Sequence, residues 1–512
     1  MLSNTARIAK NTLALYFRQI LTMLVSLYTV RVVLNTLGAE DYGIYNVVAG
    51  LVVLFSFLNG AMTSATQRFL NYSMGQNDHD QARDVFSISF IIHILIAILV
   101  IVLAETIGLW FFYTLLNIPP NRQTAAFVVY QFSVVVTIIN ILRVPYNAVI
   151  IAHEKMYFFA LVSIIETVLK LGAVFLLLVI SFDSLIVYAF LVCMIAIILF
   201  LCHKFYCNKK FDVANFRYCK NKELFRQLAS FSGWSVFGGF ANVSSTHGTT
   251  MLVNIFNGVT VNAALGIAMQ INSAVYQFVS NFQTAFNPQI IKSYAAKDYG
   301  YFMRLIFRTS KISFFLLFFF VLPLYVNMDF VLHLWLKNVP EYTIAFTRLI
   351  LIYSLADAVS GPLWMSIQAT GNIKKYQVIV SCFIFANLPL SFLLLWMGFS
   401  PVWVLIVKTG INILTLIWRI FFLSGRIELS IIGFLRDVII PIIIIAGISS
   451  LITIFLSNYF INWSALIISC IVSTLCISSL IYCIGLNSEE KKDLQNWVKK
   501  YIPKKGNVNG FF

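Results

Sequence analysis

The chain has 512 residues, of which 60% are hydrophobic and only 11% charged, against roughly 25% charged in a soluble domain. With 47 Phe, that balance excludes a string of soluble domains and predicts an all-α polytopic membrane protein. The 36 Lys and Arg outnumber the 20 Asp and Glu, giving +16, an excess that points to nucleic acid only if it gathers on a soluble face.

In chain order, MLSNTARIAK carries Arg7 and Lys10 and runs into a polar-speckled span with no small-residue cleavage site, so no signal peptide is expected. Apolar segments of helical length follow at about 14-37, 42-63, 84-108, 122-145, 156-180, 183-204, 229-256, 261-286, 307-327, 341-369, 374-397, 400-423, 437-457 and 461-485. This predicts about 14 transmembrane helices, 229-256 being the most polar. The basic residues then sort by side. Thirty fall on one side: the N-terminal stretch, the loops with Arg68 and Arg83, Arg143 and Lys155, Lys204 to Arg226, Lys292 to Lys311, Lys374 and Lys375, and Arg419 to Arg436, and the tail. Two, Arg122 and Lys337, fall on the other, and Arg31, Lys170, Arg348 and Lys408 lie inside spans. By the positive-inside rule the basic side and both termini are cytoplasmic. The excess charge thus reports topology and attraction to membrane lipids, and no nucleic-acid partner is expected. The eight Cys show no zinc-ligand spacing, so neither a metal nor a disulfide is expected.

The pattern repeats. QRFLNYSMGQND from Gln67 matches QIIKSYAAKDYG from Gln289, PYNAVIIAHEKM from Pro145 matches PLWMSIQATGNI from Pro362, and the turn TLGAEDYGIYN matches FNGVTVNAALGI. Six spans apart and in the same order, these matches predict two parallel-repeat six-helix bundles plus two extra helices, with a cleft between the bundles. The expected organisation is an N-terminal bundle at 1-204, a basic linker at 205-228, a second bundle at 229-423, two additional spans at 437-485 and a basic tail at 486-512.

LYTVRVVLNTLGAEDYGIYNVVAGLVVLFSFLNGAMTSATQRFL, the PYNAVIIAHEKM turn and the six-plus-six-plus-two layout resemble the polysaccharide biosynthesis flippases of the O-antigen or capsule repeat-unit translocase type. These belong to a superfamily that includes multidrug and toxic compound extrusion transporters. The resemblance covers essentially the whole chain. It implies a protein of the bacterial inner membrane that moves an undecaprenyl-diphosphate-linked oligosaccharide to the outer leaflet; the sequence leaves the oligomeric state open, a monomer being the favoured expectation, with other glycan-assembly proteins as candidate partners.

Such a substrate needs a wet, polar, cationic path. Charges inside a bilayer cost about 2.5–3.5 kcal/mol each on insertion scales and mark functional sites. Lys408, Asn412, Thr415 and Arg419 form one polar stripe on the twelfth span. Arg31 and Arg348 either face the cleft or snorkel to outer headgroups. Lys170 stands four residues after Glu166, a pair that serves either mutual neutralisation or coupling. Gln270, Ser273, Gln277, Asn281 and Thr284 line one face of the eighth span; the seventh adds Asn242, Ser245 and Thr249 on one side and His247 on another, and the first adds Gln19, Thr22, Ser26 and Thr29. These rows either line the cleft, with spans 1, 2, 7 and 8 around it, or glue helices together. Asp357, with no cation within one turn, and Glu166 are the coupling candidates for H+ or Na+; the membrane potential is the alternative drive. No Walker motif occurs, and no cofactor is expected. Two rival readings are a drug/cation antiporter of the same superfamily, which needs an acidic cavity, and a polytopic glycan polymerase or ligase. The latter enzyme class is not expected, for want of a large outer loop or an acid/base cluster.

Overall fold

The computed structural model describes residues 4–53, 57–114, 118–180, 182–336, 339–457, 459–460, 462–487 and 490–492. Side chains are described from Asn11 onward, apart from Val259 and a set of positions between 27 and 62 that includes Arg31. The helices are α1 (Asn4–Val53), α2 (Phe57–Gly75), α3 (His79–Leu103), α4 (Leu109–Thr114), α5 (Gln123–Ala152), α6 (Met156–Leu177), α7 (Ser184–Lys210), α8 (Lys222–Ala295), α9 (Tyr299–Val326), α10 (Met328–Leu336), α11 (Thr343–Thr370), α12 (Lys374–Trp396), α13 (Val402–Ile427), α14 (Ile431–Phe434), α15 (Ile440–Ser457) and α16 (Asn462–Leu480), with no strand among the described residues. Among the described residues, ten helical stretches are long and apolar enough to cross a bilayer. The other four expected spans fall in α1, α2 and α8, whose polar residues dilute the apolar pattern.

Neither long helix is one rod. At 1.5 Å per residue the 74 residues of α8 would extend about 110 Å, more than three bilayer cores. Gly258, at φ 80° and ψ −178°, interrupts it in a conformation that favours glycine. Phe231 before this break and Phe282, Phe286 and Ile290 after it share one core cluster, so the chain doubles back. In α1, Leu15 packs on Ile151 and Ala285. Asp41 instead meets Arg122 at the opposite end of α5, and Ala65 and Phe69 of α2 return to Ala148 and Ile150. α2 therefore runs back towards the end of the fold at which Leu15 lies, opposite to the stretch from Leu15 to Asp41.

The surface is inverted relative to a water-soluble fold. On α15 and α16, Leu451 and Leu475 are 71% and 61% exposed while Ser449 and Ser473 are 0% and 1% exposed. Apolar side chains face out and small ones let the helices approach, as lipid surroundings require. α15 and α16 pair and both pack on α9. The molecule is a multi-pass membrane protein.

The two ends differ in charge. Away from the basic end, Arg122 donates to Asp183 Oδ2 at 2.6 Å and to Asp41 Oδ1 at 2.8 Å, clamping α1 to the start of α7. Asp183 also caps α7 by accepting from the Leu185 N–H. Burial alone would raise the Asp183 pKa, but hydrogen bonds and the charge of Arg122 outweigh it and hold the carboxyl below its usual range. A depressed carboxyl contributes stability above its unfolded value near 3.9 and loses it as pH falls through the folded value. Thermal melting of the purified protein should be flat above about pH 5 and fall below about pH 4. Arg122→Gln should flatten part of that acid slope; an identical slope in the variant would disconnect this clamp from acid stability.

At the basic end the repeats take matching form. α2 and α8 both stop before a residue of positive φ, Asn77 at 57° and Lys297 at 60°. Each is followed by an aspartate N-cap, Asp78 accepting from the Gln81 N–H and Asp298 from the Tyr301 N–H. α5 and α11 likewise end next to Glu154, φ 57°, and Gly371, φ 80°. The prolines of these last two helices, Pro145 and Pro362, each withhold an N–H. For Pro362 the freed carbonyl is that of Ala358, and Gln283 of α8 donates to it at 3.3 Å.

Many cations assigned to cytoplasmic loops lie within helices instead, among them Arg143, Lys311 and Arg419. Arg143 of α5 meets Glu166 at 3.5 Å. Lys311 of α9, almost fully buried, holds Glu490 and the Gly485 carbonyl, each at 2.9 Å. Arg419 lies well inside α13, where its Nε donates to Tyr376 Oη at 2.6 Å. The expected spans 122-145, 307-327 and 400-423 already contain these three; sorting the cations by side assigned them to loops because a buried partner on a distant helix leaves no local signal.

Candidate functional site

The expected polar stripe on α13 is one wall of a cavity of about 400 Å³, lined by Lys408, Asn412, Thr415 and Arg419 among others. Opposite it stand Tyr353, Asp357 and Trp364 of α11. Tyr276, Gln283, Asn242 and Ser245 come from α8, and Gln377 and Asn387 from α12. The cavity thus sits largely inside the second half of the chain. Among the described residues, Ser64 of α2 is the one first-half residue in the lining. Of the expected lining spans 1, 2, 7 and 8, the seventh and eighth do line this space through α8, while, Ser64 aside, the rest of its wall comes from the tenth, eleventh and twelfth rather than from the first and second. The four expected spans carry the longer polar rows, but the charges converge where α8, α11, α12 and α13 meet.

The lining is orientated by its own bonds. Tyr276 Oη donates to Asp357 Oδ2 at 2.6 Å. Asn412 Nδ2 donates to the Tyr353 carbonyl at 3.1 Å. The Lys408 ammonium lies 5.3 Å from the centre of the Tyr353 ring, within cation–π range. Trp364 stacks on Tyr376 with ring centres 5.0 Å apart. Asp357 lies within electrostatic reach of both Lys408 and Arg419. It has no cation on its own turn, but two face it across the cavity, so it is not the isolated carboxylate that its sequence neighbours suggest. Two cations and one carboxylate leave a formal excess of +1. A smaller recess of about 240 Å³ shares Lys408, Tyr353 and Thr246 and continues the space to Asn272 and Ser273. The glycine at 361 leaves room for the Gln283 amide: a Cβ there would sit 2.3 Å from Gln283 Nε2 and push that side chain aside.

A second polar space, about 280 Å³, does lie between the halves. Arg18, Gln67, Gln277, Ser280, Asn281 and Thr284 line it, and Arg18 Nη2 donates to Asn281 Oδ1 at 2.9 Å. It stops at the basic end against a pair of reciprocal contacts. Arg68 of α2, 7% exposed, donates to the Gln368 carbonyl at 3.1 Å and the Ala369 carbonyl at 3.3 Å, at the end of α11. Lys292 of α8 donates to the Ala152 carbonyl at 2.6 Å, at the end of α5, and to Glu154 at 2.9 Å; Gln289 adds a bond to Glu154 at 2.6 Å. Each half therefore supplies a cation that caps the carbonyl-rich terminus of the equivalent helix in the other half, where a positive charge is favoured. The described hydrogen bonds that join the halves run from Arg18, Arg68, Gln289 and Lys292, all towards the basic end.

The remaining expected residues lie elsewhere. Lys170 binds Glu166 at 2.8 Å within α6, with Arg143 as second partner, away from both spaces. Arg348 lies 5.2 Å from the Tyr325 ring centre and lines neither space. His247 and Gln270 are exposed on α8 and line neither. Thr22 and Thr29 donate to carbonyls of α1 itself. The seventh-span row serves two ends: Asn242 and Ser245 line the main cavity, while Asn387 donates to Ser245 and Thr249 at 3.2 and 3.1 Å. Arg31 lies on α1, but its side chain is outside the described residues. Lining residues that sequence reasoning missed, Gln377, Asn387, Trp364 and the three tyrosines, sit singly in apolar spans. Their only local signal is a polar or amphipathic residue interrupting a run of Ile, Leu and Phe.

The fold is that of known membrane transporters. A crystal structure of MATE in complex with MaL6 matches 84% of this chain and 99% of its own, with a TM-score of 0.70 at 11% identity. A structure described as the outward-facing conformation of a multidrug resistance MATE family transporter of the MOP superfamily matches 84% and 98%, with a TM-score of 0.70 at 12% identity. A third, a MOP superfamily transporter from Pyrococcus furiosus Vc1 described as having reverse polarity of its binding pocket, matches 84% and 98%, with a TM-score of 0.69 at 13% identity. No match is found among curated proteins. The family model for "Polysaccharide biosynthesis protein" matches residues 8–293, more than half of the chain. By that match, with the transporter fold around a buried polar cavity, the chain belongs to the polysaccharide biosynthesis protein family.

Proposed function

We propose that the protein is a flippase that carries an undecaprenyl-diphosphate-linked oligosaccharide from the cytoplasmic to the outer leaflet of a bacterial inner membrane. The observation that carries this reading is the net-positive cavity, in which Lys408 and Arg419 face one carboxylate among amides and aromatic rings. Sugar hydroxyls find donors and acceptors in Asn242, Gln283, Gln377 and Asn387, and ring faces in Trp364 and Tyr376. The cations suit a diphosphate, and the prenyl tail stays in lipid. With both termini cytoplasmic, the reciprocal contacts of Arg68 and Lys292 close the cytoplasmic side, and opening them starts the inward-facing half of the cycle. Residues 1-204 and 229-423 act as the two moving bundles, 205-228 as their linker, and 437-485 as helices packed outside.

About two negative charges leaving an inside-negative cytoplasm gain roughly 4.6 kcal/mol per 100 mV, so the potential can drive the step. Asp357 is the residue placed to add H+ or Na+ exchange. The chain acts as a monomer, without a catalytic step of its own. A drug/cation antiporter fits the cavity poorly, since a cationic cargo would meet an excess of positive charge. Reconstitution with a fluorescent lipid-diphosphate sugar tests the proposal: leaflet exchange should require the chain and exceed that of a short-chain cationic dye. Exchange equal to protein-free vesicles sinks it.

A further inference from the structure

A separate groove of about 590 Å³ opens at the basic end, between the start of α8 and the turn from α11 into α12. Three cations line it, Arg68, Arg226 and Lys374, against one carboxylate, Glu223. Among the described residues neither Arg226 nor Lys374 has a carboxylate oxygen within 4 Å. Arg68 spends its described bonds on carbonyls of α11 and packs against the Phe69 ring at 4.4 Å. Lys374 stands over the Trp234 ring at 5.3 Å. Exposed cations usually pair or point into water. Here two of them converge on a groove that already holds a buried guanidinium.

Two further features give the groove a direction. Trp234 and Phe231 form an apolar wall at the end of a span, the level at which amphipathic rings meet lipid headgroups. The turn Thr370 to Ile373 forms its floor, and α12 begins there without a side-chain cap, so the N–H groups of its first turn add the positive end of a helix dipole. The volume lies within the roughly 300–1,000 Å³ usual for small-ligand sites.

We infer that this groove holds the phosphate of a lipid headgroup of net negative charge, with Arg226, Lys374 and the α12 terminus around the phosphate and the hydrocarbon chain leaving past Trp234. An anionic membrane phospholipid and a polyprenyl diphosphate present the same chemistry there. The site does not depend on the transport reading, because binding is measured without turnover.

The test is native mass spectrometry of the full chain in mixed micelles with phosphatidylglycerol, phosphatidylcholine or a polyprenyl diphosphate. At roughly one tenfold step per 1.4 kcal/mol and about 1 kcal/mol per basic residue, Arg226→Gln/Lys374→Gln should weaken retention about thirtyfold. Lys209→Gln/Lys210→Gln, which removes the same charge from exposed positions on α7, should leave it unchanged. Loss for phosphatidylglycerol identifies a structural lipid; loss for the diphosphate alone identifies a loading site; either supports the groove. Equal loss in both variants, undiminished binding in the first, or equal retention of phosphatidylcholine overturns it.

Discussion

Replacing Lys292 with alanine is expected to destabilise the protein by about 3–5 kcal/mol and to loosen its basic end. Glu154 is 5% exposed and takes both the Lys292 ammonium and the Gln289 amide. Without the ammonium, a charge stays behind in a site too dry to solvate it, which is the expensive way to break a buried pair. Lys292→Ala/Glu154→Gln should recover most of the loss, since a neutral amide asks for no cation. The melting temperatures of the two single variants and the double variant close the cycle. Conformation gives the second readout. Ser280 lines the space between the halves, so a Ser280→Cys reporter in a cysteine-free chain should label several times faster with an impermeant maleimide when Lys292 is gone, as the closed state loses its advantage. Equal melting of single and double variants, together with unchanged labelling, would show that these contacts hold nothing shut.

Much of this was readable before any coordinates. About 14 spans follow from length and hydropathy, and the stripe from Lys408 to Arg419 follows from helical spacing on one span, a local property. The repeat of PYNAVIIAHEKM in PLWMSIQATGNI survives because both segments must end a helix at a residue of positive φ, Glu154 or Gly371. What stayed hidden is non-local. Arg419 gives no sign of its bond to Tyr376 on α12, and Asp357 reads as unpaired until Tyr276 arrives from α8. Arg68 and Lys292 looked like two more positive-inside residues, although each reaches across to the other half. The polar row on the first span misled for a related reason. Threonine and serine on a membrane helix often satisfy themselves on the preceding turn, as Thr22 and Thr29 do, so a row of them need not face water.

Lys408→Met is the substitution expected to lower transport most for the least structural damage. The ammonium borders both recesses of the second half and rests on the Tyr353 ring at 5.3 Å, and among the described residues no carboxylate lies within 4 Å of it. Methionine keeps most of the stem and its packing while deleting the charge. Melting should therefore move little. A hydrogen bond from a charged donor contributes about 1.5–3 kcal/mol, so losing one to a diphosphate should weaken substrate binding about ten- to hundredfold, with Lys408→Arg keeping most of the activity. Asp357→Asn separates charge from geometry. Tyr276 can still donate to the amide oxygen, but the cavity gains a unit of net positive charge, so the substrate should bind more tightly and leave more slowly, lowering KM and kcat together. If Asp357 also exchanges a proton, that variant should transport at a rate indifferent to an imposed pH gradient. Retention of the full gradient dependence would leave the membrane potential as the drive, and unaltered transport by Lys408→Met would remove this cavity from the substrate's path.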